Sequence, residues 1–144
     1  MTILFTLLIL LAAPAPSSLD QVKAEAKPEH RARAAIEYAS VAERNAEAAY
    51  SRGDMKSVES ELRNMEQSLG LAQDSLTASG KTPGRNPGPY KYAEMHSREL
   101  LIRLGDLEQK MDVSERAPVE AIRSKVQQMH DAWFDGIMGP KHQR

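Results

Sequence analysis

Seven apolar residues, Met55, Val58, Leu62, Met65, Leu69, Ala72 and Leu76, step along the chain by 3, 4, 3, 4, 3 and 4. A strand has no use for that spacing, because its side chains change face at every residue, whereas helical side chains return every 3.6. Three heptads without a slip predict a helix with a left-handed packing seam, and a seam requires a partner helix. The partner stands just upstream. Ala32, Ala35, Ala39, Ala42, Ala46 and Ala49 recur with spacing 3, 4, 3, 4, 3, which predicts a helix over residues 29–50. Ile36, Val41 and Tyr50 widen its stripe, and Pro28 suits a first turn that needs no backbone N–H. Ser51, Arg52 and Gly53 break the pattern, and Asp54 is a good N-cap for the second helix.

The second half repeats the scheme. Ala93, Ser97, Leu100, Leu104, Leu107 and Met111 mark a third helix. Val119, Ile122, Val126, Met129, Trp133 and Ile137 mark a fourth, stopped by Gly139 and Pro140. Residues 112–118 form the turn between them, with Asp112 or Ser114 available as a cap. Residues 79–89 carry three glycines and three prolines in eleven positions and read as a linker. The expected fold is all-α, a four-helix antiparallel bundle made of two helical hairpins, 29–78 and 90–139. A charged segment, 18–28, precedes it, and a basic tail, 140–144, follows. Helices of this size are about 30 Å long. The linker reaches at most about 36 Å, so it can close an up-down-up-down bundle or cross over along it. Gly70 and Gly105 follow Leu69 and Leu104 at equivalent positions. An interior glycine costs about 1 kcal/mol in a helix, so close packing of the second and third helices is one reading and simple tolerance the other.

The N-terminus reads as an address. Residues 3–13 are uncharged and rich in Leu and Ile, and Pro14, Ala15, Pro16, Ser17 and Ser18 follow. An apolar core followed by small residues is the pattern of a secretory signal peptide, here residues 1–17. The run is about half the roughly 20 residues a spanning helix needs. An apolar first helix of the fold and an uncleaved tether are the other readings. Export places the chain in the periplasm or outside the cell, and membrane contact is expected through the signal segment alone.

Composition narrows the function classes. Nineteen basic residues against twenty acidic leave a net charge of -1, so no global field points to nucleic acid. The absence of cysteine excludes disulfides and thiolate metal sites. No nucleophile elbow, phosphate-binding glycine loop or paired-aspartate metal motif occurs, and the carboxylates fall on outward helix faces. No catalytic residues and no cofactor are therefore expected. Four i,i+4 pairs, Glu59–Arg63, Glu94–Arg98, Glu99–Arg103 and Asp106–Lys110, read as a solvated face.

Two features remain as contact surfaces. Residues 79–92 hold Lys81, Arg85 and Lys91 with Tyr90 and Tyr92 and no acid, a basic aromatic strip suited to an acidic partner. Phe134 and Met138, one turn apart beside the seam of the fourth helix, form a second short apolar stripe that either closes the core or meets a partner or another copy of the chain. A metal- or haem-binding bundle using His96 or His130 is the alternative, since these two flank the seams of the third and fourth helices.

Ala46, Tyr50, Gly53, Asp54, Val58 and Leu62, in the stretch AAYSRGDMKSVESEL, resemble the joint between the two helices of a tetratricopeptide repeat. That resemblance implies a helical hairpin and peptide binding. No second copy follows about 34 residues later, so a repeat array is not expected. The chain after the leader also resembles short exported bacterial proteins of unknown function. Together these readings predict a non-enzymatic exported protein acting through protein–protein contact, as an adaptor or stress-associated factor.

Overall fold

The computed structural model describes residues 16–139. The apolar leader and the basic tail at 140–144 lie outside them. Within the described residues the chain is helical, with no strand: α1 (Leu19–Lys23), α2 (Pro28–Ser51), α3 (Met55–Ala78), α4 (Pro87–Lys110) and α5 (Ala117–Met138). The long helices are four, as the periodicities predict.

α2 and α3 form an antiparallel hairpin. Ser68 Oγ donates to the Ala35 carbonyl, and Arg31 Nε to Ser75 Oγ nearer the open end. Every alanine of the α2 stripe is buried, and so are Val58, Leu62, Met65, Leu69, Ala72 and Leu76 of α3. The joint is chemically specified. Gly53 has φ +73°, a left-handed conformation that a Cβ would disfavour, and Asp54 accepts from the Ser57 N–H at 3.1 Å. The Ser57 hydroxyl, which donates to the same carboxylate at 2.6 Å, and then the Ser57 N–H hold the Asp54 carboxyl below its ordinary value.

α4 and α5 form the second hairpin, again antiparallel, tied by Glu94 to His130 at one level and by Glu108 to Arg123 at another. Two sequence expectations need correction here, and one open alternative is decided. The linker ends at Asn86, because Pro87, Gly88 and Pro89 form the first turn of α4. Prolines that break a helix interior are harmless at its start, where the missing N–H has no partner to lose. Neither Asp112 nor Ser114 caps α5. A 3-10 turn, Val113–Glu115, leads in, Arg116 is the capping position, and Pro118 sits in the first turn. Gly70 and Gly105 mark no close helix approach. A Cβ on Gly70 would meet nothing within 4 Å, and one on Gly105 would meet only the Arg123 guanidinium at 3.6 Å. Gly139 does end α5, with φ +73°.

The hairpins meet along two further seams, α2 with α4 and α3 with α5. Contacts advance together on each: Arg33 to Tyr92, Glu43 to Arg103 and Glu47 to Lys110 on one, Glu66 to Lys125 and Gln73 to Trp133 on the other. Each of these seams therefore joins parallel helices. α3 and α4 share no such seam, so the linker crosses between them at one end of the molecule. It passes against α5, where Pro83 lies over Gly136. The charged segment before α2 contributes the short α1, capped by Ser18 and anchored by buried Val22.

Candidate functional site

Where α3 and α5 run side by side they leave a groove of about 430 Å³. Leu69 and Gly70 of α3 and Ile122, Val126, Met129 and Ala132 of α5 give it an apolar lining. The glycine matters here, since it leaves open space where any other residue would place a side chain. A polar bridge closes each end. Lys125 pairs with Glu66 at one, and Trp133 Nε1 donates to Gln73 Oε1 at the other. Residues 66 and 73 are two helical turns apart, so the apolar stretch between the bridges is about 10 Å long. Sequence reasoning missed this groove. Gly70 was the available signal, a glycine inside a strong heptad.

The basic aromatic strip is only partly a surface. Lys81 pairs with Glu29 of α2, and its carbonyl accepts from Tyr90 Oη at 2.7 Å. Tyr90 is buried and Tyr92 half-buried. Tyr92 Oη lies 3.3 Å from Glu37 Oε1, and the Arg33 guanidinium stands 4.6 Å from the ring centroid. Burial, with Glu37 beside it, pushes the Tyr92 hydroxyl above its ordinary value. These three side chains fasten the linker and α4 to α2. Arg85 and Lys91 are exposed. A second, more polar hollow of about 330 Å³ lies at this end, lined by His30, Arg33, Pro89 and Tyr92 among others.

Phe134 stacks on His130 with ring centroids 6.2 Å apart and is half-buried, while Met138 is 50% exposed. His96 and His130 each face carboxylates, His96 on its own helix and His130 also across the α4/α5 seam. His130 lies between two: Nε2 is 3.0 Å from Glu94 Oε1, and Nδ1 is 3.2 Å from Asp131 Oδ1. His96 packs on Tyr92 and lies 3.9 Å from Glu99. Among the described residues, no group of three His, Asp or Glu is arranged to hold a metal ion.

Two carboxyls depart from the expectation of outward faces. Glu94 is 6% exposed, and Arg98 and His130 both bond it. Burial pushes its carboxyl up, but those hydrogen bonds outweigh burial and hold it below the ordinary range. Glu43 is fully buried between α2 and α4, and burial pushes it up. Glu43 faces the second neighbour of its helix, α4, and Glu94 faces α5 at the flank of the main stripe. Compared with protein-family models, with curated proteins and with solved structures, the chain matches none.

Proposed function

We propose that the chain is an exported, non-enzymatic four-helix bundle that works by contact with another protein, and that the groove between α3 and α5 is where contact is made. The single observation behind this reading is the groove itself, apolar along its length and bridged by polar pairs at both ends. A stretch of about 10 Å suits two apolar side chains one helical turn apart, the spacing an amphipathic helix presents to a groove. The tetratricopeptide-like joint at residues 46–62 points the same way, since its resemblance implies peptide binding. Export follows from the leader pattern, with the signal peptide ending near Ser17.

Gly70→Phe tests the site, because the space at Gly70 is open and the new ring would lie along the groove. The single tryptophan, Trp133, reports on it, since its indole N–H bonds a groove residue. An anilinonaphthalene probe should shift Trp133 emission in the native protein and leave it unchanged in the variant, at equal melting temperature. The variant should also lose whatever protein the native chain captures by crosslinking in its host. A probe and a partner that bind both forms equally would refute this site.

A further inference from the structure

The seam between α2 and α4 holds a carboxyl that its surroundings do not satisfy. Glu43 is 0% exposed. It occupies a core position of α2, where Ile36, Ala39, Glu43, Ala46 and Tyr50 step by 3, 4, 3 and 4. Among the described residues, neither carboxyl oxygen has a hydrogen-bond partner. The close cation is Arg103 of α4, whose Nη1 stands 3.5 Å from Oε2 without hydrogen-bond geometry. Arg103 is also shared, for its Nη2 lies 3.3 Å from Glu99 Oε1 at the more exposed margin. Of the remaining charges nearby, Glu47 and Arg44 belong to α2 itself. Lys110 of α4 is engaged with Glu47 at 2.8 Å. Glu61 of α3 lies on the other flank of α2, beside Asn45 and Arg52. α1 packs at the far end of α2, where Arg31 bonds the Glu25 carbonyl.

An ionised carboxylate in such a place must give up its water with one divided cation and no hydrogen bond in return, whereas the neutral acid has far less to lose. We propose that Glu43 is a proton-operated latch on the seam between the two hairpins. With its proton on, α2 and α4 close over it. Ionised, it draws water into the seam and loosens the hold of one hairpin on the other. Burial raises the carboxyl above its ordinary 4.5, with Arg103 pulling it down and Glu47 adding to the rise. The folded chain therefore binds this proton more tightly than the unfolded chain does. The resulting stabilisation is complete below the unfolded carboxyl range and is lost as pH rises through the folded value.

The test compares the native chain with Glu43→Gln, which keeps the shape and removes the ionisation. At pH 8 the variant should melt higher, by about 3–5 °C for each tenfold gain in the folding constant. The gap should close as pH falls below about 4.5. The chain has no cysteine, so spin labels can be placed at Ala48→Cys and Gln109→Cys across the seam, and at Ala48→Cys and Lys56→Cys within the first hairpin. The cross-seam distance distribution should broaden with rising pH in the native chain and stay constant with Glu43→Gln, and the hairpin distance should not respond in either. Glu43→Met serves as a second variant and should behave as Glu43→Gln does. Two variants that both melt below the native chain at pH 8 would mean that the carboxylate is ionised and useful there, and would overturn the proposal. So would a cross-seam distance that responds to pH identically with and without the carboxyl.

Discussion

Gly136→Ala sets two known effects against each other at one atom. In an ordinary helix interior, alanine is favoured over glycine by about 1 kcal/mol. In α5 the added Cβ would lie 2.9 Å from Pro83 Cγ and 3.2 Å from Pro83 Cβ, and one of the two must move. A change of ring pucker can move Cγ, but Pro83 Cβ is fixed to the backbone and remains too close. The linker that carries it is held on both sides, since Arg85 and Asn86 donate to the Thr82 carbonyl at 3.2 and 2.8 Å and Tyr90 holds the Lys81 carbonyl. Overpacking of this kind costs about 1–3 kcal/mol. The clash should win, leaving a net loss of about 0–2 kcal/mol, or up to roughly 8 °C in melting temperature. Gly70→Ala is the reference, since its Cβ meets nothing within 4 Å and should show the plain helix gain. Thermal unfolding followed by circular dichroism should then move the two variants in opposite directions. A double-mutant cycle with Pro83→Ala isolates the contact, because the penalty at Gly136 should vanish once the ring is gone. A Gly136→Ala protein as stabilised as Gly70→Ala would refute the reasoning.

The other expectations are simpler. Leu62→Asp buries a carboxylate in the α2/α3 seam and should cost about 3–5 kcal/mol, whereas exposed Gln67→Asp should stay within about 0.5 kcal/mol; equal melting temperatures would refute the register of α3. Intact-mass analysis of protein from the native host should show the loss of roughly 15–20 residues, and a full-length intracellular product would refute export.

The hairpins were legible because each rests on apolar positions within one stretch of chain. The heptads of α3 and the alanines of α2 name both faces of their shared seam, and Gly53 with Asp54 names the joint. The contacts between hairpins were not legible, because no local pattern states which helices become neighbours after the eight-residue linker, 79–86. Gly136 shows the same limit: its reason is Pro83, a residue of that linker. A signal did exist for the two buried acids. Glu43 stands in step with Ile36, Ala39, Ala46 and Tyr50, and Glu94 in step with Tyr90, Ser97, Leu101 and Leu104. A second, weaker apolar stripe beside the main one marks a helix with two neighbours, and a charge within that stripe marks a place where burial must be compensated.

Glu43 and Glu94 show how differently that compensation can fall. Both are buried carboxyls on long helices, and each has an arginine beside it. Glu94 lies within a hairpin, where Arg98 one turn away and His130 across the seam both reach it in hydrogen-bonding geometry, and it stays easily ionised. Glu43 lies between hairpins, where the geometry is set by two units that each satisfy most of their own core. Its arginine arrives at a distance and is divided with Glu99. The α3/α5 seam, the other junction between hairpins, shows the same incompleteness in apolar form, as a groove over Gly70 that neither helix fills. The unsatisfied carboxyl and the apolar groove both lie where the hairpins meet, because local periodicity specifies each hairpin and leaves the junctions to whatever residues the flanks of its stripes supply.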